Sequence, residues 1–189
     1  MSIRRATVAD IPALQHLLAQ ILKLHHRIRP DLFRPHGGAY SAEELTSLMT
    51  DDDTPIFVYT DGQNRVLGHL FLQLKNEESS VFKPFKTLFI DDLCVDETAR
   101  GQNIGTQLYD FALAFARRHG CHNLTLDVWN DNADALRFYQ KLGMSAQSTR
   151  MEVRLSDSTV SDGLGRAVEH KFRCRKRSIG FRRRAAGGR

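Results

Sequence analysis

The chain has 189 residues, 41% hydrophobic and 26% charged, which suits one domain with a substantial buried core; no apolar run approaches the ~20 residues that span a bilayer. Met1-Ser2-Ile3-Arg4-Arg5 lacks the apolar stretch of a secretory signal, and the three scattered cysteines, Cys94, Cys121 and Cys174, suit neither a disulfide framework nor a zinc site, so a cytoplasmic protein is expected. The net charge of +5 belongs to a tail: positions 156–189 hold ten Lys or Arg against three acids, leaving 17 basic and 19 acidic residues in 1–155. The body offers no basic patch, and contact with nucleic acid is expected only through the tail.

Ile3 to Ala6 reads as a short strand. Asp10 is expected to cap a helix that carries Pro12 in its first turn, where a missing N–H costs nothing. Ile11, Leu14, Leu17, Leu18, Ile21 and Leu24 recur at helical spacing and define its buried face. His25 to Tyr40, with Pro30, Pro35, Gly37 and Gly38, reads as irregular. Ser41 and Glu44 spell a capping box for a second helix ending near Met49. Pro55 to Tyr59 and Arg65 to Leu74 read as a hairpin across Asp61-Gly62-Gln63-Asn64, and Thr87 to Val95 as a third strand.

Ile104 to His119 reads as an amphipathic helix with Arg117 and Arg118 in its last turn and Gly120 as its stop. Leu124 to Val128 follows as a strand, Ala133 to Leu142 as a helix, and Ser145 to Leu155 as one or two closing strands. The order β-α-α-β-β-β-α-β-α-β predicts an α/β fold, a mixed central β-sheet with helices on both faces. The predicted domain covers 1–155. Residues 156–189 are expected to be a basic tail that is disordered or non-native, being rich in charge and poor in large apolar residues.

Arg100-Gly101-Gln102-Asn103-Ile104-Gly105 lies between a predicted strand and a predicted helix. Glycines there let backbone approach a ligand, and the free N–H groups and dipole of the helix start favour a diphosphate. No Lys-Ser or Lys-Thr follows as in a Walker loop, and the spacing is not that of the Rossmann fingerprint. Alone, such a turn is as readily structural.

Phe89-Ile90-Asp91-Asp92-Leu93-Cys94-Val95 precedes this loop, and Asn132-Ala133-Asp134-Ala135-Leu136-Arg137-Phe138-Tyr139-Gln140-Lys141-Leu142-Gly143-Met144 follows it. Together these segments resemble the Gcn5-related N-acetyltransferase (GNAT) superfamily. Its pyrophosphate loop runs Arg or Gln, two residues, Gly, one residue, then Gly or Ala; its later segment runs Asn, two residues, Ala, and ends in Phe-Tyr, two residues, Leu-Gly. The resemblance covers residues 3 to about 155 in element order. The middle loop glycine of the family is Asn103 here, one of the few side chains that tolerate left-handed backbone angles.

The resemblance implies a GNAT-like acyl-CoA N-acyltransferase fold and an N-acetyltransferase that moves an acetyl group from acetyl-CoA, its co-substrate, to a primary amine of a small molecule or peptide by direct attack. No metal is implied, and there is room for a homodimer. The alternative is a catalytically silent CoA-binding regulatory module, against which Tyr139 and the acidic pair weigh. The diphosphate would fall to backbone N–H groups from Gln102 through Asn103, Ile104 and Gly105 to Thr106, after the turn at Gly101, with Arg100 adding charge. Leu93, Cys94 and Val95 would splay from the strand near Leu126 and offer backbone to the pantetheine amides. Tyr139 would protonate the departing thiolate, although Leu136, Tyr139 and Leu142 also lie at the spacing of a core face.

Asp91 and Asp92 are the candidate bases. Strand alternation lets at most one of them face the amine, and the pair is similar to the Glu-Asp of polyamine-acetylating members, which favours Asp91 as the base; a solvated carboxylate is the other reading of each. Asn132 is similar to the family Asn that meets the cofactor and also suits an N-cap. Cys94 reads as a buried strand residue, because no cation or helix N-terminus activates it. His25, His26, Arg27, Arg29 and Arg34 make a basic segment that would border the acceptor site, or a solvated loop. Neither His25-His26 nor His119-Gly120-Cys121-His122 has a complete zinc ligand set.

Overall fold

The computed structural model describes residues 2–81 and 83–155, so the basic tail at 156–189 and every expectation about it lie outside the described residues. The chain divides into two units, Met1–Ala146 and Gln147–Arg189.

In the first unit, β1 (Ser2–Arg5), β2 (Ile56–Thr60), β3 (Val66–Glu77), β4 (Phe85–Val95) and β5 (Asn123–Leu126) form one sheet in that order. The first three pairings are antiparallel and β4 pairs β5 in parallel, so the sheet is mixed as expected. Helix α1 (Ile11–Ile28) leads into α2 (Ala42–Met49), while α3 (Ile104–Arg118) links β4 to β5 and α4 (Ala133–Lys141) follows β5. Side-chain alternation along the strands builds a core on each face. Phe57, Tyr59, Leu70, Leu72, Leu88 and Ile90 meet α3 on one side, whereas Ile56, Val58 and Phe71 meet Leu14 and Leu18 of α1 and Leu45 of α2 on the other.

Several local expectations take definite form. Ser41 Oγ accepts from Glu44 N at 3.1 Å and Glu44 Oε2 accepts from Ser41 N at 2.8 Å, closing the capping box of α2. The hairpin turn is bound by Asp61 Oδ1, which accepts from the N–H groups of Gln63 and Arg65. α1 runs on to Ile28, so His25, His26 and Arg27 lie in its last turn rather than in an irregular segment.

Asp10 takes the N-cap position of α1 as expected, but its side chain makes no cap bond to the helix. Its carboxylate accepts from Arg4 at 2.7 and 2.9 Å and from Thr7 N and Oγ1 at 2.8 and 2.9 Å, tying β1 to the helix entrance. The bond from Arg4 leads in holding this carboxyl down at about 2, from an ordinary 3.8. A carboxyl depressed on folding stabilises above its unfolded value and loses that contribution as pH falls through its folded value. Melting temperatures of the wild type and Asp10→Asn are therefore expected to differ at neutral pH and to converge as pH falls from 3.8 towards 2. Thermal melts across that range check this.

In the second unit, residues 147–155 contain no strand, and the expectation of closing strands in Ser145–Leu155 is corrected. The apolar alternation of Met151, Val153 and Leu155 suggested one, but these side chains are 84%, 79% and 82% exposed. Alternation specifies a strand only where a ladder satisfies its backbone and a core takes one face.

Candidate functional site

The loop before α3 is shaped by two left-handed residues. Gly101 has φ 79°, and Asn103, the N-cap of α3, has φ 61° and ψ 14°. Asn103 thus adopts the backbone for which the family pattern uses glycine. The first helical bond is Gln107 N to Asn103 O at 3.2 Å, and among the described residues none accepts from the N–H groups of Gln102 to Thr106. These donors, with the helix dipole behind them, open onto a cleft of about 410 Å³ lined in part by Val95, Arg100, Gly101 and Thr106. A Cβ on Gly105 would stand 3.3 Å from the Phe138 ring, so glycine lets α3 and α4 close together behind the loop.

β4 departs from regular pairing twice. Phe71 pairs Asp92 while Leu72 pairs Ile90, which leaves Asp91 as the extra residue of a β-bulge. The bulge overturns the expectation that Asp91 and Asp92 point to opposite faces. Asp92 lies 3.3 Å from His69 Nε2, and Asp91 Oδ2 accepts from Tyr40 Oη at 3.5 Å; His69 and Tyr40 both stand against Phe71 on the α1 and α2 side. Pairing with β5 also stops at Ile90–Leu126, so Asp91 to Val95 have no neighbour in β5. Asp96 N donates to Leu67 O, and alternation from there turns the backbone of Leu93 and Val95 away from β3, towards the side β5 has left. Arg100 Nε reaches Val95 O at 3.4 Å on that side.

The charges meet at Asp92. Tyr139 on α4 is partly buried and packs against the core beside Tyr109 (ring centroids 6.4 Å apart), and no described residue hydrogen-bonds its hydroxyl. Burial pushes the Tyr139 phenol well above its ordinary value, and the charge of Asp92 raises it further. Asp92 also acts on His25, which burial lowers and Asp92 raises. Tyr40 is pushed up to about 12, by burial first and then by Asp91 and Asp92. Asp91 keeps solvent contact, yet the surrounding protein and then the Asp92 charge push its carboxyl upward, while Lys75 and Tyr40 oppose this. Around these groups, Phe33 bridges His25 (4.9 Å) and Trp129 (5.6 Å), and Tyr40 stacks on Phe71 (6.0 Å).

The sequence profile of the Acetyltransferase (GNAT) family matches residues 18–144. The chain belongs to the GNAT acetyltransferase family. It is similar to GCN5-related N-acetyltransferase 6 (chloroplastic) of Arabidopsis thaliana, at 30% identity over 61% of this chain and 40% of that protein. It is also similar to the peptidyl-lysine N-acetyltransferase YjaB of Salmonella typhimurium, at 32% identity over 57% of this chain and 62% of that protein. The chain thus spans about 40% and 62% of the lengths of these curated relatives. A crystal structure of a tetramutant of the BH1408 protein of Bacillus halodurans superposes with a TM-score of 0.79 at 30% identity, covering 82% of this chain and all of that one. Members of this family use acetyl-CoA or CoA.

Within this GNAT fold, the sequence candidates separate into groups. Val95, Arg100, Gly101, Asn103, Ile104, Gly105 and Thr106 line the cleft, joined by Ala99 and Phe138, which sequence reasoning did not single out. Gln102 and Leu93 are not among its lining residues. Cys94 is turned away: its thiol contacts Leu17 O at 3.7 Å under α1, and burial pushes it up to about 12, the state of an inert core thiol. Asn132 Oδ1 accepts from Ala135 N at 3.2 Å, the N-cap bond of α4. Arg29 is buried, donates twice to Asp31 (2.9 and 2.8 Å) and lies over Trp129 (5.2 Å), so its charge is used within the fold. His69 and Tyr40 were missed. The signal for His69 was present, a lone polar residue in Val66-Leu67-Gly68-His69-Leu70-Phe71-Leu72. Among the described residues no helix is long and apolar enough to cross a membrane, and no group of three His, Cys, Asp or Glu side chains is placed to hold a metal ion.

Proposed function

We propose that this GNAT protein transfers an acetyl group from acetyl-CoA to a primary amine of a small molecule or peptide by direct attack. The observation that carries the reading is the junction of three features at one end of the sheet. Unpaired N–H groups open α3, the edge of β4 from Asp91 to Val95 is vacated by β5, and Tyr139 and Asp92 act on each other there. The names of the two curated relatives, both N-acetyltransferases, support an amine acceptor.

Acetyl-CoA supplies an activated thioester. Backbone N–H groups of Gln102 to Thr106 bind its diphosphate, and Arg100 adds positive charge beside them. The outward backbone of Leu93 and Val95 pairs with the pantetheine arm and places one N–H against the carbonyl oxygen, a contribution worth about 3 kcal/mol in other enzymes. Asp92 removes one proton from the acceptor ammonium, which frees the lone pair for attack. The second amine proton leaves after the C–N bond has formed. Tyr139 gives its phenolic proton to sulfur as the C–S bond breaks and recovers a proton from solvent, so one proton is released per turnover.

Acetyl-CoA at ~100 times its dissociation constant is expected to stabilise the fold by about 2.7 kcal/mol, read as a rise in melting temperature that nucleoside triphosphates do not match. Mass spectrometry of a panel of amines, polyamines, aminoglycosides and short peptides then reads the gain of one acetyl group. A thermal shift with no acceptor acetylated would favour the silent CoA-binding module; no shift at all at millimolar acetyl-CoA would remove the donor assignment.

A further inference from the structure

His69 has no exposure to solvent, and neither ring nitrogen has a hydrogen-bond partner among the described residues. An unpartnered polar group buried in this way is costly, and an aliphatic residue would fill the same strand position without that cost. One polar group is within reach. Asp92 Oδ2 lies 3.3 Å from Nε2, close enough for an ion pair but out of hydrogen-bond alignment. The Asp92 side chain is 17% exposed, so its carboxylate is not sealed in with the buried ring.

We infer that His69 is a positioning residue for the acceptor-side base: its Nε2–H holds Asp92 Oδ2, leaving Oδ1 as the atom that takes the proton from the acceptor amine. The inference rests on the transferase reading. The tautomer follows from the surroundings. With Nε2–H the ring donates to Asp92 and leaves a bare acceptor at Nδ1, whereas the opposite tautomer would bury an N–H with nothing to receive it, the rarer and costlier defect. In the proton step an N–H bond of the ammonium breaks and an O–H bond forms at Oδ1, while the His69 hydrogen bond to Oδ2 stays in place. The ring cannot swing away, because Phe71 stands edge-on at 5.0 Å and α1 covers β3 on this face.

The other titratable groups around Asp92 are Asp91 and Cys94 on β4, His25 on α1, Tyr40 ahead of α2 and Tyr139 on α4. None of them is hydrogen-bonded to Asp92, so none substitutes for His69 in holding it.

The test has two arms on the full chain. In the first, ¹⁵N NMR of the histidine rings is expected to show His69 as the Nε2–H tautomer from about pH 6 to 8, with a nitrogen shift that moves in Asp92→Asn. A ring protonated at Nδ1, or one indifferent to Asp92→Asn, overturns the inference. This arm needs no activity, so it decides the His69–Asp92 contact even if the wild type acetylates no amine, the result that would sink the transferase reading instead.

In the second arm, His69→Leu is expected to lower kcat/KM by about 10-fold or more and to move the acid limb of its pH profile upward, since the carboxylate loses a donor that favours its charged form. The melting shift with acetyl-CoA should be unchanged. His69→Gln, which keeps an amide donor near the Nε2 position, should restore part of the rate and return the limb towards its original pH. A residue that is only structural would change the melting temperature and leave the limb in place, and that outcome refutes the assignment.

Discussion

Tyr139→Phe is expected to lower kcat by ~10² or more while acetyl-CoA affinity and melting temperature stay near wild type. The substitution keeps the ring that packs beside Tyr109 and Phe138 and removes only the hydroxyl, which no described residue hydrogen-bonds. Burial and the Asp92 charge keep this phenol protonated throughout the neutral range. The same shift makes it a weaker acid than free tyrosine, so full transfer to a thiolate whose conjugate acid lies near ~8.5 is uphill in isolation. The proton therefore moves late, as the C–S bond breaks and negative charge gathers on sulfur, and the effect belongs in kcat rather than in donor binding. Steady-state kinetics beside a thermal-shift titration separate the two. Turnover close to wild type would return Tyr139 to the role of a core aromatic, the reading its helical spacing also allows.

Asp92→Asn is expected to slow transfer by ~10² at neutral pH and to recover part of that loss as pH rises towards the amine pKa near ~10. An acceptor that is almost wholly ammonium at neutral pH depends on a base, and one already deprotonated does not. Asp91→Asn should cost much less. Asp91 stands on the bulge beside Tyr40, with Lys75 opposing its upward shift, whereas Asp92 acts on Tyr139, His25 and Tyr40 and lies next to His69. Rate against pH for both variants, with melting temperatures as controls, is the decisive measurement. If Asp91→Asn shows the large, pH-recoverable loss, the base is the bulge residue, as the similarity to the Glu-Asp pair of polyamine-acetylating members suggests. If neither variant slows transfer at neutral pH, the proton leaves by a route outside β4.

What was legible in the sequence is what depends on neighbours three or four residues apart. The buried stripe of α1, the Ser41–Glu44 box, the turn at Asp61 to Asn64 and the left-handed tolerance of Asn103 are properties of short segments, and each appears in the structure. The cleft-lining loop was legible for the same reason, because a strand, a Gly-containing turn and a helix start are consecutive in the chain. The acceptor side was not. Whether Asp91 and Asp92 share a face depends on a one-residue slip between β3 and β4, and register is a relation between strands that neither strand encodes alone.

His69, 23 residues before Asp92, becomes its neighbour only through that pairing, and the opening beside Leu93 and Val95 exists only because β5 parts from β4 after Leu126. The alternation of Met151, Val153 and Leu155 erred in the opposite direction. It satisfied the local rule for a strand, but these side chains lie in solvent and no ladder forms at 145–155. Local periodicity specified the elements, while the pairing of distant strands decided which side chains meet.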